Sequence, residues 1–355
     1  MYRKIESETG IPTTTISRYI EKLGNMKVSF RADYNIKDLD LKMLIFKILN
    51  KNIQRHDIQK FPLSHWLAAV INLEKSLLII YRVPKNINED YIIQNIIKEL
   101  DIININNIDY IIKLTDTMLA KPSFEFYLEN TPIDPIKALD INEYHPLKSN
   151  FIDYNYLIRS NPRYGLKIVR DKIDLYALSI AEMNVLDLEE KLKQYFIHKR
   201  ATKKIYKNIN MHINHILKMI HGSRLIHRNK DGLKFIIIGN GKPSCINKTI
   251  QYLLTYFYAY SIAVDPNTGN FSVSLDLPVT SGYSTNNYIN TITDRIRSIC
   301  GYIIDVIKYD YNNVVEYYTI PFRNYDFIRK KWILDNEVLK VHDEKLKKNG
   351  FILYL

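Results

Sequence analysis

A chain of 355 residues with 46% hydrophobic side chains can bury the cores of two or three domains. Lys and Arg outnumber Asp and Glu by 50 to 38, leaving a net charge of +12 and a pI near 9.3, a balance that points to a polyanionic partner. Two cysteines, Cys245 and Cys300, are too few for a disulfide framework or a cysteine zinc site. No apolar run reaches the roughly 18 residues of a membrane span, and no signal-peptide zones open the chain, so a reducing, cytoplasmic setting is expected.

The first residues read as a short helical stretch that stops at Gly10. Pro12 then suits the first turn of a new helix, where its missing N–H costs nothing. Ile16, Ile20 and Leu23 recur at i, i+4 and i+7 and form one buried stripe, with Thr14, Thr15, Arg18 and Lys22 projecting elsewhere. Helix, glycine turn and polar-faced helix make a helix-turn-helix pattern. Lys27 to Ala32 alternates like a strand, with Val28 and Phe30 on one face, and is a candidate wing.

A strand over Leu41 to Leu49, a helical turn around Ile53 to Lys60, a hairpin of Trp66 to Ile71 and Ser76 to Val83, a helix over Glu89 to Leu100 and a strand over Asp109 to Lys113 follow. That order is βαββαβ, the ferredoxin-like module. From Lys121 to Arg163 five prolines punctuate a weaker pattern, which makes this the connection between units; its aromatics, among them Phe124, Phe126 and Tyr154, are too apolar for a disordered linker.

Lys191 to Lys230 then holds eight Lys, three Arg and five His and not one Asp or Glu. Within it Ile209, Ile213, Ile216, Leu217 and Ile220 form an apolar stripe. This segment is the second sighting of the opening motif: Arg3-Lys4-Ile5 falls on Lys203-Lys204-Ile205, Ile16 on Ile216, Arg18 on Lys218 and Ile20 on Ile220, a shift of 200. Two parses remain. One pairs short helices as in the first unit. The other takes Asp174 to Met183 and Leu188 to Phe196 as two helices before one long helix from Thr202 to Ile220.

With slightly smaller shifts the candidate wing matches Arg224 to Arg228, and Leu41 to Ile45 matches Leu233 to Ile237. Strand Leu233 to Ile238, helix Ile246 to Tyr258, hairpin Tyr260 to Leu277, helix Asn286 to Ile299 and strand Tyr302 to Lys308 repeat the βαββαβ order. Asn324 to Asn349 reads as a charged helical tail with Trp332, Ile333, Val338 and Leu339 as packing residues.

The expected fold is therefore α+β, with two winged helix-turn-helix units each followed by a ferredoxin-like module. The boundaries fall at 1–32 (without a counterpart of the first helix, so that either the start lies upstream or another segment fills that place), 33–120, a connector at 121–170, 171–231, 232–323 and a tail at 324–355.

Gly10 to Leu23, the wing and the following strand resemble the leucine-responsive regulator (Lrp/AsnC) family of bacterial and archaeal transcription factors, here in tandem. The motif is specific over Ile5 to Leu23; in the second unit Asn210 replaces the turn glycine and His212 the proline. The resemblance implies promoter DNA binding, a small-molecule effector, modules that pair within the chain, and homo-oligomers. On it, double-stranded DNA is the expected partner. The contacts would come from Thr13, Thr14, Thr15, Ser17, Arg18 and Lys22 in the first head, and from Lys203, Lys204, Lys207, His212, Asn214, His215, Lys218, Arg224, Arg228 and Lys230 in the second.

No catalytic residue, cofactor or metal is expected. His212 and His215 at i, i+3 lack a third ligand near in sequence, and Gly239 to Ser244 lacks the phosphate-loop spacing, so a tight connection is its default reading. No nucleophile elbow or HExxH occurs. Siroheme decarboxylases are similar in build and are the enzyme alternative, although His65-Trp66 opens a hairpin without a recognisable partner. A protein-interaction scaffold is the third reading.

Overall fold

The computed structural model describes residues 6–7, 9–25, 28–49, 53–54, 66–102, 107–118, 169–198, 204–220, 222–227, 233–242, 246, 248–250, 258–277, 285–299, 302–310, 313–317 and 320–333. Most of the helical turn expected at Ile53 to Lys60, the connector through Arg163 and the tail beyond Ile333 lie outside these residues.

Helix α1 (Thr13–Asn25) begins where expected. The Gly10 N–H closes onto the Glu6 carbonyl, Gly10 itself takes φ +71°, and Ile16 N–H bonds to the Pro12 carbonyl. A left-handed φ is cheap only for glycine, which is why the turn falls there. Strand β1 (Val28–Asp33) follows, but it does not stand out as a free wing. It pairs antiparallel with β7 (Gly222–His227), so the two candidate wings form one two-stranded sheet, with Arg31 opposite Arg224. The face expected to be polar is partly inside, because Ser29 is buried.

Strands β2 (Leu41–Leu49), β3 (Leu67–Asn72), β4 (Ser76–Pro84) and β5 (Ile108–Leu114), with helix α2 (Glu89–Ile102), build the first large sheet. Strands β8 (Leu233–Asn240), β9 (Tyr258–Asp265), β10 (Asn270–Leu277) and β11 (Tyr302–Tyr309), with the later helix α6 (Thr285–Ile299), build the second. The two have the same order. The first runs β5-β2-β4-β3 and the second β11-β8-β10-β9, with every neighbour antiparallel.

Each sheet gains a fifth strand from the other half of the chain. Strand β6 (Asp116–Met118), just after β5, pairs with β9, and β12 (Val314–Tyr317), just after β11, pairs with β3. The exchange covers what would otherwise be an open edge on each sheet.

The first sheet is buried on both faces, which explains why β2 and β4 read as nearly continuous apolar runs rather than alternating ones. Ile45, Ile71, Leu78 and Ile112 face Ile236, Ile238, Ala263 and Ile307 of the second sheet. Leu44, Phe46, Ile79 and Tyr81 point the other way, into a core shared with α2 and with Leu175, Leu178, Leu192 and Ile216 of the second helical unit.

Helices α3 (Lys172–Met183), α4 (Leu188–His198) and α5 (Lys204–Ile216) form the second helical unit, so the three-helix parse is the observed one. Ile209 and Ile216 are buried as expected. Leu217, expected in the stripe, is 47% exposed, and Met219 takes the inward place because the chain leaves α5 in a tight turn at residues 217–219.

The charged helical tail is corrected over its described residues. Tyr325–Asp326 (β13) and Lys331–Trp332 (β14) pair as a small hairpin. Trp332 is buried there, donates its indole N–H to the Leu39 carbonyl at 2.7 Å and packs edge-on against Tyr325 and Trp66. The expected helix from Ile246 is present at residues 246 and 248–250. The overall class, α+β with antiparallel sheets, is as expected.

Candidate functional site

The most strongly organised polar cluster lies between α3 and α5. Helix α3 starts at Asp171, whose extended backbone lets its Oδ1 accept from the Ile173 and Asp174 N–H groups, satisfying donors that the first helical turn leaves open. That cap aims Asp174 inward. Its carboxylate, only 1% exposed, accepts from the Arg170 N–H at 2.8 Å, from His212 Nδ1 at 2.7 Å and from His215 Nδ1 at 3.2 Å.

His212 and His215 share one face of α5 because i, i+3 residues do. His212 is itself buried, stacks on Phe196 of α4, and has Asp171 Oδ1 3.8 Å from its Nδ1.

Electrostatics follow from this geometry. Burial works against a charge on Asp174, but the bonds from His212 and the Arg170 N–H, with the histidine charges, outweigh it and hold the carboxyl below its ordinary value. The Asp174 hydrogen bond raises His212 above the usual imidazole range against its own burial, with Asp171 adding to the rise and Arg170 opposing it. Next to the cluster, burial and then the charges of Tyr176 and Asp171 push the Tyr195 phenol up to about 12.

A second buried group sits farther along α3. Arg82 of β4 forks onto Glu182 with Nη1–Oε2 at 2.9 Å and Nη2–Oε1 at 2.6 Å, and Tyr34 Oη lies 3.0 Å from Nη1 while donating to Oε2 at 2.8 Å. This bidentate pair fastens the helical unit to the first sheet. Asn184, which ends α3, adds another tie by accepting from the Phe30 N–H of β1.

The residues expected to meet DNA scatter over different environments. Thr14, Ser17, Arg18 and Lys22 are exposed on α1, with Thr13 and Thr15 half-buried; Asn214 and Lys218 are exposed at the end of α5. Lys204 and Lys207 lie on α5, and Arg224 lies in β7. Lys203, Arg228 and Lys230 lie outside the described residues. His212, expected to project from the apolar stripe, instead faces the protein interior, because the partner that claims it is Asp174.

Sequence reasoning missed Asp171 and Asp174 as members of a site. Asp174 lies 38 residues before His212. The available signal was an Asp-x-x-Asp pair opening one helix and a His-x-x-His pair on another. Of the glycine-rich segment Gly239 to Ser244, residues 239–242 are among those described, and the Gly241 N–H bonds to the Gly269 carbonyl at 3.0 Å across the hairpin turn.

No protein-family model matches the chain, and no curated protein does. Among solved structures, the crystal structure of the siroheme decarboxylase NirDL matches over 98% of this chain and 93% of that one, at 10% identity and a TM-score of 0.46. The same enzyme in co-complex with an iron-uroporphyrin III analogue matches at 9% identity and a TM-score of 0.45 over the same shares. Both are structures of an enzyme. They correct the expectation of a DNA-binding regulator that is not an enzyme. Among the described residues, no helix is long and apolar enough to cross a membrane.

Proposed function

We propose that this chain is an enzyme acting on a polycarboxylate of the tetrapyrrole class, built as a tandem of Lrp/AsnC-like units. Helical heads at 1–32 and 171–231 precede ferredoxin-like modules at 33–120 and 232–323, joined by the connector at 121–170 and followed by 324–355. The shared strand order of the two sheets supports the module assignment.

The observation that carries the substrate class is charge. The chain stands at +12, with an acid-free stretch of forty residues, and so favours a polyanion. A macrocycle bearing several carboxylates is such a polyanion, and the class is the one named for the iron-uroporphyrin III complex. Cations gathered near a binding face would hold the peripheral carboxylates in place, and their attraction would weaken as salt screens it.

Titration with siroheme and with iron-uroporphyrin III tests this. The expected result is a saturable shift of the visible absorption band at low salt, weaker at high salt, followed under anaerobic incubation by loss of CO2 from siroheme detected by mass spectrometry. No spectral change with either compound would overturn the reading. The runner-up is an interaction scaffold, favoured by the exposed apolar residues Met211 and Leu217 at the end of the second head. Binding of a protein partner through that helix, with no response to tetrapyrrole, would put it first.

A further inference from the structure

We propose that Asp171, Asp174 and His212 form a binding site for one divalent transition-metal ion of the zinc class, with a fourth position open to water. The inference is independent of the tetrapyrrole reading. One ligand atom from each of Asp171, Asp174 and His212 lies within 4.8 Å of the other two. A tetrahedral ion with bonds of 2.0–2.1 Å holds its ligand atoms roughly 3.3 Å apart. The separations around His212 bracket that value: 3.8 Å from its Nδ1 to Asp171 Oδ1 and 2.7 Å to Asp174 Oδ1, while His215 Nδ1 holds the other Asp174 oxygen, Oδ2, at 3.2 Å.

The chemistry of the donors fits as well. An imidazole and two carboxylates suit zinc, cobalt or nickel better than magnesium or calcium, which prefer oxygen alone. Two carboxylate charges balance a dication, so the buried assembly would be neutral when filled and His212 would bind as the uncharged ring. The ligands come from two packed helices, Asp171 and Asp174 at i, i+3 at the start of α3 and His212 on α5. Access is also present: Asp174 and His212 are buried, whereas the Asp171 side chain is 47% exposed and gives the site a mouth.

The site's competitor is the hydrogen bonding already described. His212 and His215 bind Asp174 directly, Asp171 Oδ1 caps α3, and the Arg170 charge lies close enough to act on His212. A metal must replace the His212-to-Asp174 bond with coordinate bonds from three side chains.

The test uses the full chain stripped with a chelator and dialysed, then titrated with Co2+ and Zn2+ alone. The expected result is one ion per chain, the visible bands of tetrahedral cobalt, and their loss when zinc is added. Asp171→Asn keeps the helix cap, since asparagine caps as well as aspartate, but removes an anionic ligand. It should weaken cobalt binding roughly tenfold or more, while circular dichroism stays unchanged. His212→Gln should do the same. No stoichiometric cobalt binding by the parent chain, or equal binding by the Asp171→Asn, His212→Gln double variant, would overturn the proposal.

Discussion

At the scale of single residues, the Arg82–Glu182 pair is the clearest case of a group whose worth depends on its partner. Side-chain exposures of 10% and 3% leave little water to solvate either charge once the other is gone. Arg82→Ala should therefore destabilise the chain by about 3–5 kcal/mol, read by urea unfolding, whereas Arg82→Met with Glu182→Leu should recover most of that loss. The Asp174–His212 pair sets a pH window in metal-free protein. Asp174 is held low, so its contribution is present above the ordinary carboxyl value of about 3.9 and fades as pH falls through the folded value. His212 is raised, so its contribution is full below about 6.5 and is lost as pH rises through the folded value. The thermal midpoint, measured with chelator present, should be highest between those limits, and His212→Gln should flatten the alkaline limb. None of these partnerships was legible beforehand. Arg82 and Glu182 are 100 positions apart, and a buried charge looks like a surface charge until the fold supplies its neighbour.

Elements were more legible than contacts. The strands β2, β4 and β8, the helix α1 and the hairpin of β9 and β10 announce themselves through apolar runs, a proline and an Asp-Pro-Asn-Thr-Gly turn, all of them local signals. Gly269 closes that turn at φ +79°, and a Cβ built there would stand 2.1 Å from the Gly241 carbonyl oxygen. Gly269→Ala combines a left-handed backbone costing about 1–2 kcal/mol with that backbone clash, so thermal denaturation should show a loss beyond 2 kcal/mol. Of the stretch read as a helical tail, Asn324 to Asn349, the described residues 324–333 depart from that reading for a tertiary reason. Charged residues at helical spacing suggested a helix, but Trp332 gains more by sealing the core against Trp66 and bonding to Leu39 than the segment would gain from helical propensity. The wings were misread likewise: alternation identifies a strand but not its mate, and the mates here are 199 residues apart, Val28 opposite His227.

For the whole molecule, the repeat at a shift of 200 revealed two similar halves, and the matched order of the two sheets is its structural counterpart. What the repeat did not reveal is how completely the halves depend on each other. The sheets share an apolar interface, Lys47 of the first sheet meets Asp305 of the second at 2.6 Å, and Arg82 grips the second helical unit. Urea unfolding should accordingly be a single transition, with tryptophan fluorescence from Trp66 and Trp332 coinciding with far-ultraviolet circular dichroism, which follows both halves. Two separated transitions would show that the interface is weaker than its burial implies.

The fifth strands carry a final implication. Strand β6 leaves the first half to edge the second, and β12 returns the favour, so each half is completed by its own covalent neighbour. Tethering turns what two free subunits would achieve by collision into an intramolecular event, fixed by the effective concentration of the linker and indifferent to dilution. Function measured at nanomolar protein should match that at micromolar protein. One half can also alter its loops and head without preserving a surface by which a wandering subunit would have to recognise it.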